Sequence, residues 1–404
     1  MRYEIKRLDE CCISISDGDH LPPPKSDSGV PFITISNIDT ANNTIDFSNT
    51  MFVPEAYYDA LQNIRKATPG DILYSVVGTF GVPVQIKTEK KFVFQRHIAI
   101  LRPNKDVVLP EYLYYVMKSG SFYAQADAFA VGSAQRTIGL SSLRKMKAAI
   151  PCVEDQEKTV TVLSAYDNLI EVNNKRIKVL EQMAESLYKE WFVRFRFPGH
   201  ETAKFENGIP KGWRRGRISE FYTTSSGGTP SREHDEYYDA GTIPWIKTGE
   251  LQDCLLIDTE EKITESAVKK SSAKFFPKNS VLMAMYGVNI GMLAYSTMDA
   301  TCNQACCVFR DKGSINTKHY LFQCLKSIRD YLLLISFGAA QQNLSQDLIK
   351  RVRIVMPDEE TVIRFEQKIE PLYNEIKHLL KANACLIHQR DLLLPRLMSG
   401  KLEV

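Results

Sequence analysis

From residue 163 onward, apolar side chains recur at alternating steps of three and four: Leu163, Tyr166, Ile170, Asn173, Ile177, Leu180, Ala184, Leu187 and Trp191. This spacing keeps one stripe of a helix turned toward a partner through four heptads. A shift of 206 residues gives Ile369, Leu372, Ile376, Leu379, Asn383, Leu386, Arg390, Leu393 and Leu397, again mostly apolar. The pattern predicts two long helices of the same register. Each seam carries one Asn, and Asn173 and Asn383 are not at equivalent places. A buried Asn costs stability but can fix the alignment of two helices; the alternative is a frayed or wet position. Pro371 predicts a kink or restart early in the second helix, and Pro395 its end. Pro198-Gly199 predicts that the first helix stops near Phe197, with a linker up to Gly212.

The same shift links the segments ahead of the helices. Val131-Gly132-Ser133-Ala134-Gln135-Arg136 answers to Phe337-Gly338-Ala339-Ala340-Gln341-Gln342, and Pro151 to Pro357. Upstream, Val30-Pro31-Phe32-Ile33 answers to Ile243-Pro244-Trp245-Ile246, and Gly70-Asp71-Ile72-Leu73 to Asn279-Ser280-Val281-Leu282. An ordered series of such pairs implies an internal duplication. Short apolar runs, such as Phe92-Val93-Phe94, Ile98-Ala99-Ile100-Leu101 and Ser280 to Met285, are bounded by turn formers and predict strands. The segments 110–117 and 318–325 predict matching amphipathic helices. The layout is globular domain, long helix, linker, globular domain, long helix.

Composition narrows the class without naming it. The 404 residues are 44% hydrophobic and 25% charged, which excludes disordered, collagenous and low-complexity chains. The net charge of +3 does not by itself indicate a nucleic-acid binder, although local basic patches remain open. No apolar run reaches the roughly 18 residues of a membrane helix, and the first residues lack a signal-peptide core. Nine scattered cysteines without a CxxC pair point to a reducing compartment. A soluble cytoplasmic protein without membrane contact is expected.

The usual catalytic signatures are missing. Ser225-Ser226-Gly227-Gly228-Thr229-Pro230 contains glycines but no following Lys-Ser/Thr, so it reads as a turn and not as a phosphate cradle. His20-Leu21-Pro22-Pro23-Pro24 does not supply the Asn/Asp-Pro-Pro-aromatic loop of amino-group methylation. Glu260-Glu261-Lys262 offers only a fragment of a nuclease motif. Cys302-Asn303-Gln304-Ala305-Cys306-Cys307 has no second pair to complete a zinc site and reads as strand thiols in a core. Neither catalytic nor metal-binding residues are expected.

Specific strings carry more. Glu185-Ser186-Leu187-Tyr188-Lys189-Glu190-Trp191-Phe192-Val193-Arg194-Phe195-Arg196-Phe197-Pro198-Gly199, followed by Ile209-Pro210-Lys211-Gly212-Trp213, resembles the centre of specificity subunits of type I restriction-modification systems. Leu392-Leu393-Leu394-Pro395-Arg396-Leu397-Met398-Ser399-Gly400-Lys401-Leu402 resembles their C-terminus. Gly227-Gly228-Thr229-Pro230-Ser231 with Ile243 to Leu251 resembles the opening of a target-recognition domain, and Asp17-Gly18-Asp19-His20 with Val30 to Ile33 another version of it.

The resemblance implies an α+β fold: two mixed, strand-rich target-recognition domains separated by two long helices pairing as an antiparallel coiled coil. Residues 1–153 and 213–357 would be the recognition domains, 154–197 the central helix, 198–212 the linker and 358–404 the C-terminal helix. It further implies a non-catalytic chain that reads a split, asymmetric target in double-stranded DNA. Two modification (methyltransferase) subunits and restriction (translocase and endonuclease) subunits would be its partners. S-adenosylmethionine, ATP and Mg²⁺ would belong to those partners, and no cofactor to this chain. The seam from Leu163 to Trp191 covers 29 residues, about 43 Å at 1.5 Å per residue, against about 34–36 Å for one DNA turn. Helix length is therefore expected to set the spacer between half-sites.

DNA readers should combine cations for phosphates with amides and guanidinium groups for base edges. The densest such groups are Gln135, Arg136, Arg144, Lys145 and Lys147 in the first half and Gln341, Gln342, Lys350, Arg351 and Arg353 in the second. Tyr74, Thr79, Arg96 and His97, with Tyr286, Asn289 and Gln304, are further candidates. Solvated charge is the competing reading for each. Trp191, Phe192, Phe195, Leu397 and Met398 read by default as core, and the resemblance makes them candidates for partner docking. Rival functions are a specificity subunit serving a fused restriction-methylation polypeptide, or a helical-hairpin scaffold without a nucleic-acid role.

Overall fold

The computed structural model describes residues 3–403 apart from 20–21, 41, 134, 314 and 337–342. Two long helices, Val153–Tyr188 and Glu359–Met398, occupy the stretches marked by the heptad seams. Their deepest positions recur every seventh residue: Leu163, Ile170, Ile177, Ala184 and Trp191 on the first, and Val362, Ile369, Ile376, Asn383, Arg390 and Leu397 on the second. The first helix passes into a π-turn, Lys189–Val193. The second runs unbroken through Pro371 and Pro395, which corrects the restart and the stop expected there. An interior proline costs a helix about 3 kcal/mol. The buried neighbours Ile369, Tyr373 and Ile376 hold the chain on either side of Pro371, and Leu394 and Leu397 do so around Pro395.

The chain divides into two compact units, Met1–Ile170 with Cys385–Val404, and Glu171–Ala384. Each contains one globular repeat and a stretch of both long helices. In the first unit Leu163 shares a core with Leu394, Leu397 and Met398. Beside it the Arg390 guanidinium donates to Asp167 Oδ1 at 2.6 Å. In the second unit Ile177, Ala184 and Trp191 share a core with Phe365, Ile369, Ile376 and Leu379. Asn383 Nδ2 donates to Asn174 Oδ1, and Asn383 Oδ1 accepts from Asn173 Nδ2, both at 2.8 Å. Arg176 meets Glu375 at 2.7 Å. Partners on the second helix fall in number as those on the first rise, so within each unit the helices are antiparallel. The two seam asparagines are non-equivalent in sequence because they meet across that antiparallel pair.

The globular repeats share one plan. The first has a sheet in the order Cys12–Asp17, Ile98–Pro103, Ile72–Ser75, Pro83–Gln85 and a second in the order Met51–Val53, Val30–Ile33, Val93–Phe94. A two-stranded ladder joins Glu4–Arg7 to Lys147–Ile150. The second repeat rebuilds these with Tyr222–Ser226, Cys306–Asp311, Val281–Ala284 and Leu293–Ser296, adding Cys254–Leu256 at the edge. Its smaller sheet is Lys262–Ile263, Ile243–Ile246, Thr301–Cys302, and its ladder pairs Arg214–Arg217 with Arg353–Met356. In both small sheets the middle strand pairs one neighbour parallel and the other antiparallel. The expected helices appear as Pro110–Lys118 and Lys318–Ser327. Cys302, Cys306 and Cys307 are fully buried strand thiols. The stretch 198–212 carries a short hairpin, Phe205–Glu206 with Ile209–Pro210, and Ile209 joins Trp213 in the core of the second unit.

Candidate nucleic-acid interface

In the first repeat the strand Ile72–Ser75 leads into Val76, whose peptide is held from two sides. Its N–H donates to His97 O at 2.9 Å, and its carbonyl accepts from Ile138 N–H at 2.8 Å. These bonds gather the loops 76–81, 95–97 and 131–138 at one end of the sheet. Val77 bridges Thr137, and Gly78 N–H donates to Arg136 O at 3.1 Å. Asp19 joins the group, donating its N–H to Phe94 O at 2.9 Å and accepting from Arg96 N–H at 3.0 Å. Gly18 permits this approach, since a Cβ there would lie 1.9 Å from Phe94 O.

The second repeat builds the same frame from different residues. Met285 N–H donates to Ala305 O at 2.8 Å, and Met285 O accepts from Leu344 N–H at 2.7 Å. Gly228 N–H donates to Cys302 O at 2.9 Å, and a Cβ on Gly227 would lie 1.9 Å from that oxygen. Backbone groups in such positions must find partners, and here they find each other in the same way twice.

Thr79, Gln135 and Arg96 are exposed on the first repeat's loops, with His97 half-buried among them. The Arg136 guanidinium pairs with Asp127 and lies 5.2 Å from the Phe80 ring centre. Burial, and after it the charge of Arg96, lowers the pKa of His97. Tyr74 is a correction: it is wholly buried, its ring edge-on to Phe122 at 6.0 Å, because its strand lies in the sheet interior. Arg144, Lys145 and Lys147 stand apart from the three loops, on the helix Leu140–Lys145 and the strand Lys147–Ile150. There Arg144 donates to Ile15 O at 2.7 Å.

In the second repeat Tyr286 and Gln304 are exposed on the loops, and Gln304 Oε1 accepts from the Thr229 hydroxyl. Asn289 is spent structurally: its amide donates to the carbonyls of Thr248, Gly249 and Leu251 at 3.0–3.3 Å. Lys350 lies 3.8 Å from Asp347 on the helix Gln346–Arg351, which also carries Arg351, and Arg353 opens the last strand. Gln341 and Gln342 lie outside the described residues.

The sequence reading missed a cavity of about 370 Å³ in the first repeat, where Asp19, Lys25, Phe32 and Phe52 join Gln95, Arg96 and His97. No local motif signals it, because its walls come from four separate segments. The corresponding Trp245 of the second repeat instead donates its indole N–H to Gly228 O at 3.1 Å.

The docking candidates are also corrected. Trp191 and Phe192 are buried against Phe365, and Phe192 also against Tyr320; Phe195 packs on Phe205 and Trp213. Leu397 and Met398 are buried in the core of the first unit. Trp191, Phe192, Leu397 and Met398 thus spend their apolar area inside the chain, as the default reading had it. Within the second unit, His319, Glu366 and Glu370 offer ligand atoms within 4.8 Å of one another. Glu366 already accepts from the N–H groups of His319 and Tyr320 and from His319 Nδ1, and Lys318 pairs with Glu370 at 2.9 Å. They act as an internal ion-pair network tying the helix Lys318–Ser327 to the second long helix. No described helix is long and apolar enough to cross a membrane.

The profile of the type I restriction modification DNA specificity domain matches residues 3–182 and 210–382. The chain belongs to that family. Its two matched segments coincide with the two repeats and their helices. Among its relatives is the type I restriction enzyme MjaIX specificity subunit of Methanocaldococcus jannaschii, 30% identical across 74% of this chain and 71% of the relative. The HindI specificity subunit of Haemophilus influenzae is 24% identical across 92% and 94%. The solved S subunit of a type I restriction-modification system from M. genitalium shares the fold, with a TM-score of 0.56 at 14% identity, over 98% of this chain and 96% of that one.

Proposed function

We propose that this specificity-family member is the DNA-reading, non-catalytic subunit of a type I restriction-modification complex. Each repeat reads one half of a split, asymmetric duplex target. Thr79, Gln135, Arg136, Arg96 and His97 face one half-site, and Tyr286 and Gln304 the other, with Gln341 and Gln342 assigned to the second on sequence alone. Arg144, Lys145, Lys147, Lys350, Arg351 and Arg353 supply phosphate contacts. Two modification subunits and the restriction subunits assemble on the chain, and S-adenosylmethionine, ATP and Mg²⁺ are theirs.

One observation supports this above the others. A single backbone frame is built twice by matching hydrogen bonds yet carries different polar side chains, as reading two unlike half-sites requires. Methylome sequencing of the host with and without the chain tests it. One split motif methylated only in its presence is the expected result. Unchanged methylation, together with the absence of salt-sensitive duplex binding by the reconstituted complex, would leave only a scaffold role.

A further inference from the structure

The two-stranded ladders of the repeats are the same structure with different charge. Arg7 faces Lys147 across the first, and Arg217 faces Arg353 across the second. In each, the next residue's N–H continues onto the return segment, Leu8 to Met146 O at 2.9 Å and Ile218 to Val352 O at 2.8 Å. A glutamate three residues on folds back to accept from the arginine's own N–H, Glu10 from Arg7 and Glu220 from Arg217. Asn104 N–H donates to Cys11 O in the first repeat, and Lys312 N–H to Phe221 O in the second. The correspondence therefore holds residue by residue.

The first ladder is largely quenched, with Lys147 alone of its three cations lacking an ion pair among the described residues. Arg7 is ion-paired to Asp9, and Lys6 to Glu4 at 3.2 Å. Ile5 and Asn104 add no charge at their positions. In the second ladder Ser219 stands where Asp9 would be, Arg215 replaces Ile5 and Lys312 replaces Asn104. Alternation along the strand puts Arg215 and Arg217 on one face, with Arg353 opposite Arg217 on that same face. Gly216 and Ile354 point inward instead. All three arginines are exposed, and among the described residues no carboxylate lies within ion-pair range of any of them. Lys312 Nζ donates to the Ser219 carbonyl, bringing a fourth cation to the turn. Like charges directly opposite each other destabilise a ladder, and the neighbouring Glu220 carboxylate is taken up by the Arg217 N–H and by Arg214 at 4.0 Å.

We propose that Arg215, Arg217, Arg353 and Lys312 form a phosphate-binding site for the DNA backbone, built in the second repeat and reduced in the first to Lys147. Guanidinium groups held side by side on a rigid ladder suit the phosphodiester, which they can grip bidentately. The inference rests on the DNA-reading role and adds residues to it.

The test uses the complex reconstituted with its modification subunits, on a duplex carrying the motif found by methylome sequencing. Arg217→Ala with Arg353→Ala should flatten the dependence of log affinity on log salt by about 1.8, roughly 0.9 for each phosphate released. That amounts to a roughly 60-fold loss at about 0.1 M salt which disappears near 1 M. Ser219→Asp, which installs the first repeat's quenching carboxylate, should flatten it by about 0.9. The methylated motif should be unchanged in both, and circular dichroism should show intact folding. An unaltered salt slope overturns the site. Weakened assembly with the modification subunits at an unaltered slope also overturns it, and assigns the face to an acidic protein surface. If the wild-type complex binds no duplex in a salt-dependent way, the DNA-reading role itself fails, which is a different result from a normal wild type and unaffected variants.

Discussion

In the first repeat a valine peptide, Val76, ties together the loops that carry Gln135, Arg136 and His97; in the second, Met285 does the same for the loops that carry Tyr286 and Gln304. Around these matching frames the side chains diverge. The first repeat leaves a cavity of about 370 Å³ beside Phe32, whereas Trp245 in the second reaches the Gly228 carbonyl. The first pairs Arg7 with Asp9, and in the second the Arg217 guanidinium has no ion pair among the described residues. Hydrogen bonds between main-chain groups do not depend on side-chain identity, so a duplicated domain can keep its frame while its contact surface changes. The seams differ in the same spirit. The first unit holds an ion pair on the buried Arg390, with Asp167, where the second buries the Asn383 amide, bonded to the half-buried Asn173 and the exposed Asn174.

Gly18→Ala and Gly227→Ala each place a methyl 1.9 Å from a carbonyl oxygen, and each should cost its own unit about 3 kcal/mol or more. Gly249→Ala, with no heavy atom within 4 Å, should change little. Denaturant melts of the three variants would check this, and equal tolerance at all three sites would contradict a shared frame.

The seams come next. Asp167→Ala removes one of the two carboxylates paired with Arg390 among the described residues, an arginine only 9% exposed, at a cost of about 3 kcal/mol. Asn383→Leu removes a neutral amide and should cost about 1 kcal/mol. Thermal unfolding should rank them in that order.

At the loops, Arg136→Ala should relax the half-site read by the first repeat and leave the other half intact, and Gln304→Ala should do the reverse. Each is expected to cost about 1–3 kcal/mol of discrimination, visible as degenerate positions in the methylome. Degeneracy in both halves from one variant would argue against two independent readers.

The smallest effect concerns pH. Burial and Arg96 hold the His97 imidazole below its ordinary value, which is about 6.5. The folded state favours the neutral ring, so this contribution to stability is complete above that value and is lost as pH falls below it. His97→Gln should remove that part of the acid sensitivity of the first unit in melts taken between about pH 7.5 and about pH 5.5. The second repeat has Ala305 at the corresponding place and should show no such component.

The long helices, the duplication and the strand-rich repeats were legible in the order of residues because periodicity is a local signal: a seventh-residue rhythm from Leu163 to Trp191 needs no knowledge of what lies opposite. The prolines misled for the same reason. Pro371 and Pro395 carry a local penalty, and burial of the residues around them outweighs it. The strings Arg7-Leu8-Asp9-Glu10 and Arg217-Ile218-Ser219-Glu220 carry the Asp9-to-Ser219 difference in the sequence itself.

Other features required the fold. Gln135 and Arg144 are neighbours in sequence but sit on different parts of the surface, while Thr79, His97 and Arg136 converge from three segments. Tyr74 and Trp191 have the chemistry of contact residues and the positions of core residues. Burial and convergence depend on which distant segments pack together, and free energy is gained there from contacts that no short window of sequence contains.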